Sequence, residues 1–289
     1  MRTLDLDALE IFRAVATEGG VLRAAAKLNR VQSNVTTRVR QLEERLGVAL
    51  FRRQGRGLVP SSEGLLLLQY ADRLLRLADE AQAVLQAGRP RGILRLGSLE
   101  STAGSRLPQL LSRYHQVHPD VTIELATGTT GALVQRVEHF ELEAAFVSEP
   151  FTAPGLQSRP VFAEELALIT ARHHRRVDRP ADLGRATLIA FASGCSYRKR
   201  LEDWFGQGKL LPERVLEFAS YQAMIACVSA GTGVAIVPQS LLTALRATGD
   251  VRVHALPARV RHNRTHLVWH GAPSAALTGL LELLGRDAP

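Results

Sequence analysis

Cysteine is almost absent from this 289-residue chain, which has only Cys195 and Cys227. Two cysteines make no disulfide framework, and they predict a reducing compartment, the cytoplasm. Long apolar runs are absent too, and no stretch approaches the ~18 consecutive apolar residues of a membrane span. The opening MRTLDLDALEIF carries acids among its apolar residues, so it does not read as a secretion signal. Catalytic signatures are also missing. There is no nucleophile elbow, no phosphate-binding glycine loop ending in Lys-Ser or Lys-Thr, no GxGxxG after a strand and no HExxH. His173-His174 sits in an Arg-rich loop without metal-ligand spacing. No metal and no cofactor are therefore expected, and an enzyme reading has little to stand on, although α/β folds often host catalysis.

What is present is an ordinary globular composition, 46% hydrophobic and 22% charged, over a length that suits two or three domains. The net charge of +8 is unevenly placed: residues 1–60 hold eleven Lys/Arg against six Asp/Glu, so they contribute +5. A basic patch there suits a polyanion, because neutralising phosphates releases counterions. Charge alone does not exclude a merely soluble basic surface.

Apolar periodicity organises the start of the chain. Leu6, Leu9, Phe12 and Ala16 recur at helical spacing up to Gly19-Gly20, and Val21 to Leu28 is a short Ala-rich helix. A third helix runs from about Gln32 to Leu46, with Val35, Val39, Leu42 and Leu46 inward and Gly47 as its terminal cap. Short strands at 48–51 and 58–59 flank a basic glycine turn at 52–57, which completes a winged helix-turn-helix pattern. A long helix follows from Ser61 or Ser62 to about Gln86, and its stripe Leu68, Ala71, Leu75 and Ala78 is expected to pair with a second copy. Residues 87–92 read as a hinge. Beyond them, strands at 93–99, 121–126, 144–147, 161–170, 187–191 and 234–237 alternate with helical stretches, which argues α/β lobes.

The third helix carries the function. Gln32, Ser33, Asn34, Thr36, Thr37, Arg38 and Arg40 form its polar face, and residues 19–42 contain five cations and no acid. Gln and Asn can bond an adenine edge, Arg a guanine edge, and Ser or Thr a base or a phosphate. Arg30 ahead of this helix, and Arg52, Arg53 and Arg56 in the wing, are further candidate DNA-binding residues.

The Ala-rich second helix, Gln32, Gln41-Leu42-Glu43-Glu44, Leu46-Gly47 and Leu50-Phe51-Arg52-Arg53 occur in the order found in the LysR-type transcriptional regulators, and the chain resembles that family along its whole length. The family usually has Ser ahead of the position of Gln32 and Pro or a small residue after it, where this chain has Val31 and Ser33. The Thr often found near Leu22 is missing as well. The resemblance implies an α+β winged helix-turn-helix at 1–60 and a linker and dimerisation helix at 61–87. It further implies a two-lobed, periplasmic-binding-protein-like α/β effector domain at 92–289, with lobe I at about 92–161 and 266–289 and lobe II at about 162–265. The partners it implies are double-stranded operator DNA, a small-molecule effector, further copies of the chain as a homodimer or homotetramer, and RNA polymerase; no membrane is implied.

Ser98, Glu100, Ser101 and Thr102 follow the first strand of that domain, and Thr127, Gly128 and Thr129 follow the second. Both loops place N–H groups and hydroxyls at a helix start, which suits an anion such as a carboxylate and equally suits simple capping. With Cys195, Ser196 and Tyr197 they form the candidate effector site between lobes, with Arg198 and Lys199 as nearby charge. Cys195 is read as pocket lining before redox switch, and Gly231 to Pro238 as a structural turn into a strand.

Overall fold

The computed structural model describes residues 4–54, 57–85 and 90–286. It forms two compact units, Met1–Gly88 and Arg89–Pro289. Among the described residues no helix is long and apolar enough to cross a membrane.

The first unit opens with α1 (Leu6–Glu18), whose first turn is capped by Asp5, its carboxylate accepting the Ala8 N–H at 2.7 Å. Then come α2 (Val21–Lys27) and α3 (Gln32–Leu46). Ile11, Val15, Ala24, Ala25, Val35 and Val39 are buried together, and the two alanines are small enough for α2 to lie close against its neighbours. The strands β1 (Phe51–Gln54) and β2 (Gly57–Pro60) pair antiparallel from Phe51↔Pro60 to Gln54↔Gly57. Arg52 and Arg53 thus stand in β1 and not in the expected turn at 52–57, of which residues 55 and 56 lie outside the described residues. The reason is Glu43: its carboxylate accepts the N–H groups of Leu50 (2.8 Å) and Phe51 (3.3 Å), so the end of α3 fixes where β1 starts.

The linker helix α4 (Ser62–Leu85) departs from expectation in the face it uses. Ala71 and Leu75 are buried against Leu9, Phe12, Leu42 and Leu50 of their own unit, with Leu68 packed beside them. That stripe is not free to meet a second copy. Among the described side chains of α4, the large apolar residues left exposed are Leu65, Leu66, Tyr70, Leu74 and Leu77. The helix is apolar on two faces, and periodicity alone did not say which face the folded unit consumes.

The second unit runs β3 (Gly92–Ser98), α5 (Glu100–Ser105), α6 (Leu107–Val117), β4 (Val121–Thr127), α7 (Thr130–Glu138), β5 (Ala144–Ser148), β6 (Leu156–Ala171), β7 (Thr187–Ala190), α8 (Ser196–Gln207), β8 (Arg214–Glu217), α9 (Tyr221–Ser229), β9 (Ala235–Pro238), α10 (Gln239–Ala244), β10 (Val251–Ala255), α11 (Ala258–Arg261), β11 (His262–His270) and α12 (Ala275–Arg286). Its main sheet has the order β10-β6-β11-β5-β3-β4, with β9 also on β6, and β7-β8 form a separate pair. β3 runs parallel to β4 and β5. The long β6 pairs with β11 over its first part and with β9 and β10 over its last, so one strand passes from the first lobe (around β3–β5) into the second. Phe146, Tyr114 and Leu277 centre one core, and Phe205, Trp204 and Ile236 the other. Gly233 enters β9 where a Cβ would lie 2.4 Å from the Thr187 carbonyl oxygen, which accounts for the glycine turn.

β10 pins a buried histidine beneath the second lobe. His254 Nδ1 accepts the Val177 N–H at 3.2 Å, and Nε2 lies 2.8 Å from the Thr170 hydroxyl. Burial, then the charges of the nearby Arg252 and His174, hold its pKa below the usual 6.5. A lowered histidine pKa contributes stability that is full above pH 6.5 and shrinks as pH falls below it. Denaturant unfolding is therefore expected to show the second unit losing stability on acidification below pH 6.5, and His254→Gln is expected to flatten that slope. An unchanged slope in the variant would remove His254 as its source.

Candidate DNA-binding face and effector cleft

On α3, Val35, Val39 and Leu42 are buried, and helical spacing puts Ser33, Thr37 and Arg40 on the opposite, exposed side with Gln41 and Glu44. Gln32 and Asn34 are exposed on the flanks of that face. Two expected contacts turn elsewhere. The Thr36 hydroxyl donates to the Gln32 carbonyl at 3.0 Å, within its own helix. Arg38 reaches back to Asp7 on α1 (3.5 Å), where Arg30 is also bound. One aspartate thus holds two of the expected cations against the fold. Arg40, Arg52 and Arg53 are exposed and, among the described residues, make no ion pair. Arg56 lies outside the described residues. Val31 begins α3 without a side-chain cap, as its lack of a hydroxyl requires.

Beside α3, a groove is walled by Gly20, Leu22 and Arg23 at the head of α2, Gln32, and Arg53 with Gly57 of the wing. Arg23 was missed in the sequence. Its exposed guanidinium lies close over Gly19, on the same groove as Gln32 and Arg53. The signal was present, since Arg23 is one of the five cations in the acid-free stretch.

In the second unit the loops after β3, β4 and β7 converge. The Thr130 hydroxyl, at the head of α7, lies 3.4 Å from the Ser196 hydroxyl at the head of α8 and accepts the Ser148 N–H at 3.2 Å. Gly131 donates to the Gly194 carbonyl at 3.3 Å. Beside these contacts between lobes is a cavity of about 520 Å³ walled by Thr130, Gly131, Pro150, Gly194, Cys195 and Ser196. Thr129 caps α7 by accepting the Ala132 N–H.

Ser101, Thr102, Ser196 and Tyr197 are buried. Ser98 is buried as well, but its hydroxyl donates to the Leu99 carbonyl and is not aimed at a ligand. Thr127 ends the edge strand β4 and is exposed, and Gly128 ties that loop to β3 by donating to the Ser98 carbonyl. Burial pushes the Cys195 thiol up, the opposite of what a reactive thiol needs. The expected supplementary charge is spent elsewhere: Arg198 pairs with Glu202 and Glu217, and Lys199 with Asp203.

Glu100 spans the cleft from the first lobe and accepts the Tyr221 N–H at 3.5 Å at the start of α9, which has no side-chain cap of its own. Burial raises its carboxyl above the usual range, against the lowering effect of that N–H. Residues the sequence did not single out complete this polar layer. The Ser148 hydroxyl accepts from the Asn263 amide at 2.8 Å, and Thr265 is buried opposite Ser148 in the sheet. The findable signal was Ser148, a lone polar residue closing the apolar strand Ala144–Ser148, at the strand end where α/β sheets bind ligands.

Known proteins match this arrangement along the chain. The family described as bacterial regulatory helix-turn-helix protein, lysR family, matches residues 6–65, and the LysR substrate binding domain matches residues 87–289. The HTH-type transcriptional regulator GltR of Bacillus subtilis is 37% identical over 254 residues, 88% of this chain and 86% of that protein. The HTH-type transcriptional regulator YofA of Bacillus velezensis is 40% identical over 254 residues, with coverage of 88% and 87%. A full-length OxyR variant from Pseudomonas aeruginosa superposes with a TM-score of 0.77 at 21% identity, over 99% of this chain and 95% of that one. Full-length CbnR in complex with its target DNA superposes with a TM-score of 0.69 at 24% identity, over 99% and 100%. The relatives are named as transcriptional regulators, not enzymes. The chain belongs to the LysR family of DNA-binding transcriptional regulators, with a winged helix-turn-helix and an effector-binding domain.

Proposed function

We propose that this regulator binds operator DNA as a dimer of dimers in the cytoplasm and answers to a small carboxylate-bearing effector held between the lobes of its second unit. The divisions of labour are residues 1–60 for DNA, 61–87 for dimerisation and 92–289 for the effector. The observation that carries the reading is the exposed, acid-poor face of α3, flanked by uncommitted arginines of the wing. Ser33, Thr37 and Arg40 read the major groove with Gln32 and Asn34, while Arg23, Arg52, Arg53 and Arg56 hold phosphates. The exposed stripe of α4 pairs two copies, which sets two recognition helices about 34–36 Å apart or a multiple of it. For the effector, support comes from the cavity of about 520 Å³, lined by Ser196, and from the buried hydroxyls of Ser101 and Thr102 on the first lobe. RNA polymerase is the partner through which the bound dimer would act.

The test is binding to a duplex selected from a random pool, read by fluorescence anisotropy. Arg40→Ala is expected to lose about 1–3 kcal/mol on the selected site if Arg40 reaches a base. Arg38→Ala, whose guanidinium is turned to Asp7, is expected to lose less. Equal losses on selected and random DNA would reduce Arg40 to a phosphate contact. A larger loss for Arg38 would reverse the assignment.

A further inference from the structure

We propose that Glu100 receives the ammonium group of the effector, so that the cleft is built for a small amino-carboxylate such as an amino acid and not for a simple organic acid. This rests on the cleft between the lobes being the effector site.

Three buried polar atoms meet there from both lobes without a hydrogen-bond partner among the described residues: Glu100 Oε2, Ser101 Oγ and the Tyr197 hydroxyl. Ser101 is 1% exposed and Tyr197 3%. The hydroxyls of Tyr197 and Tyr221 both lie near that of Ser101, and Tyr221 also feels the Glu100 charge, so the four side chains share one neighbourhood. Buried polar groups in folded proteins are almost always satisfied, and a set left open on facing elements is what a ligand with matching groups would complete.

The chemistry of the set is mixed. The hydroxyls can donate to a carboxylate. An ionised Glu100 can only accept, and one of its oxygens already takes the Tyr221 N–H. Among the described residues Glu100 joins no ion pair. The arginines around the cleft are committed: Arg106 to Glu164, Arg198 to Glu202 and Glu217, and Arg200 to the carbonyls of Glu149, Arg259 and His262. Among the described residues, a purely anionic effector would therefore face a carboxylate with none of these three arginines free to offset it. An ammonium group supplies the missing countercharge, and a charge-assisted bond to Glu100 repays the burial that opposes its ionised form.

The experiment is a thermal-shift and calorimetric series on the full-length protein with the standard amino acids, each beside its des-amino carboxylate. At least one amino acid is expected to raise the melting temperature while its des-amino partner does not. Glu100→Gln keeps the shape and an acceptor for Tyr221, and is expected to weaken that amino acid about 10- to 100-fold. Tyr197→Phe is expected to weaken it as well, with the fold intact. Carboxylates that bind as tightly as their amino counterparts, an amino acid that binds Glu100→Gln unchanged, or a series with no binder would each overturn the assignment. A ligand that binds wild type, Glu100→Gln, Ser101→Ala and Tyr197→Phe alike would instead defeat the cleft as the effector site. A carboxylate lost in Ser101→Ala but kept in Glu100→Gln would defeat the ammonium alone.

Discussion

Leu77→Glu on α4 is expected to leave the protein monomeric in solution and to lower its affinity for a two-half-site duplex about 10²- to 10⁴-fold, the advantage that a second tethered recognition helix confers. Leu66, Tyr70, Leu74 and Leu77 follow one another at spacings of four, four and three, so they line one side of the helix. Leu66 is 57% exposed, Tyr70 51% and Leu77 61%. Such a stripe invites a partner helix, and in the isolated unit it has none among the described residues. Leu75, two residues earlier, is 8% exposed and packs on Leu9 and Phe12, so Leu75→Glu is expected to unfold the first unit instead of dissociating it. The two variants separate assembly from folding. Light scattering should report a monomer for Leu77→Glu with circular dichroism unchanged, and lost helicity and lowered melting for Leu75→Glu. A Leu77→Glu protein that stays dimeric, or a Leu75→Glu protein that folds as a monomer, would return the interface to the Leu68 and Leu75 face.

The fold was legible where one periodicity dominated. The stripes of α1 and α3 point one way, and both helices end at a glycine in the left-handed region, Gly19 at φ 66° and Gly47 at φ 69°. The parallel strand β5 read plainly because Ala144-Ala145-Phe146-Val147 is a continuous apolar run, and β3 because Ile93, Leu94 and Leu96 are apolar around a single Arg95. β11 did not read. Its residues His262–His270 include three histidines, Asn263 and Arg264, yet it lies between β5 and β6 in the sheet. Asn263, Thr265 and Leu267 are its buried alternation; the Asn263 amide donates to the Ser148 hydroxyl, and Thr265 stands opposite Ser148 in the sheet. A hydrophobicity pattern carries no signal for a strand whose inward residues are polar. α4 failed for the opposite reason, an excess of leucine on two faces.

The candidate sites divide in the same way. Residues on one helix, such as Ser33, Thr37 and Arg40, could be grouped from spacing alone. Arg38 shares their chemistry and is withdrawn by a contact to Asp7, which no local pattern reveals. In the cleft, Glu100 and Tyr221 are 121 residues apart in sequence and meet only because the sheet brings two lobes together. Glu100 could be marked as a polar residue in a promising loop, but its facing neighbours could not. The expectation of nearby positive charge failed because Arg198 and Lys199 are each followed at helical spacing by an acid, Glu202 and Asp203, that takes them up.

The second large effect is expected at Gly64, in the first turn of α4. There the linker helix is fastened to the wing: Ser61 donates through its N–H to the Leu50 carbonyl at 2.9 Å and through its hydroxyl to the Ala49 carbonyl at 2.7 Å, and that hydroxyl accepts the Gly64 N–H at 2.9 Å. This clamp draws the backbones so close that a Cβ on Gly64 would lie 2.1 Å from the Leu50 oxygen, with the Leu50 carbonyl carbon at 3.1 Å and the Pro60 Cβ at 3.2 Å. On helix propensity alone, Gly→Ala would stabilise α4 by about 1 kcal/mol. The clash outweighs that gain, because the obstructing atom is backbone and cannot swing aside. Leu50 is also held from its other side by Glu43. Gly64→Ala is therefore expected to destabilise the first unit by about 3 kcal/mol or more. Gly20→Ala is the matched control. Gly20 is extended, at φ 169°, and nothing lies within 4 Å of a Cβ placed there, so its effect should stay within about 0.5 kcal/mol. Urea denaturation of both variants decides the matter. A Gly64→Ala protein as stable as wild type would mean that α4 and the wing are not clamped as described, while a costly Gly20→Ala would show that the head of α2 is more crowded than its surroundings indicate.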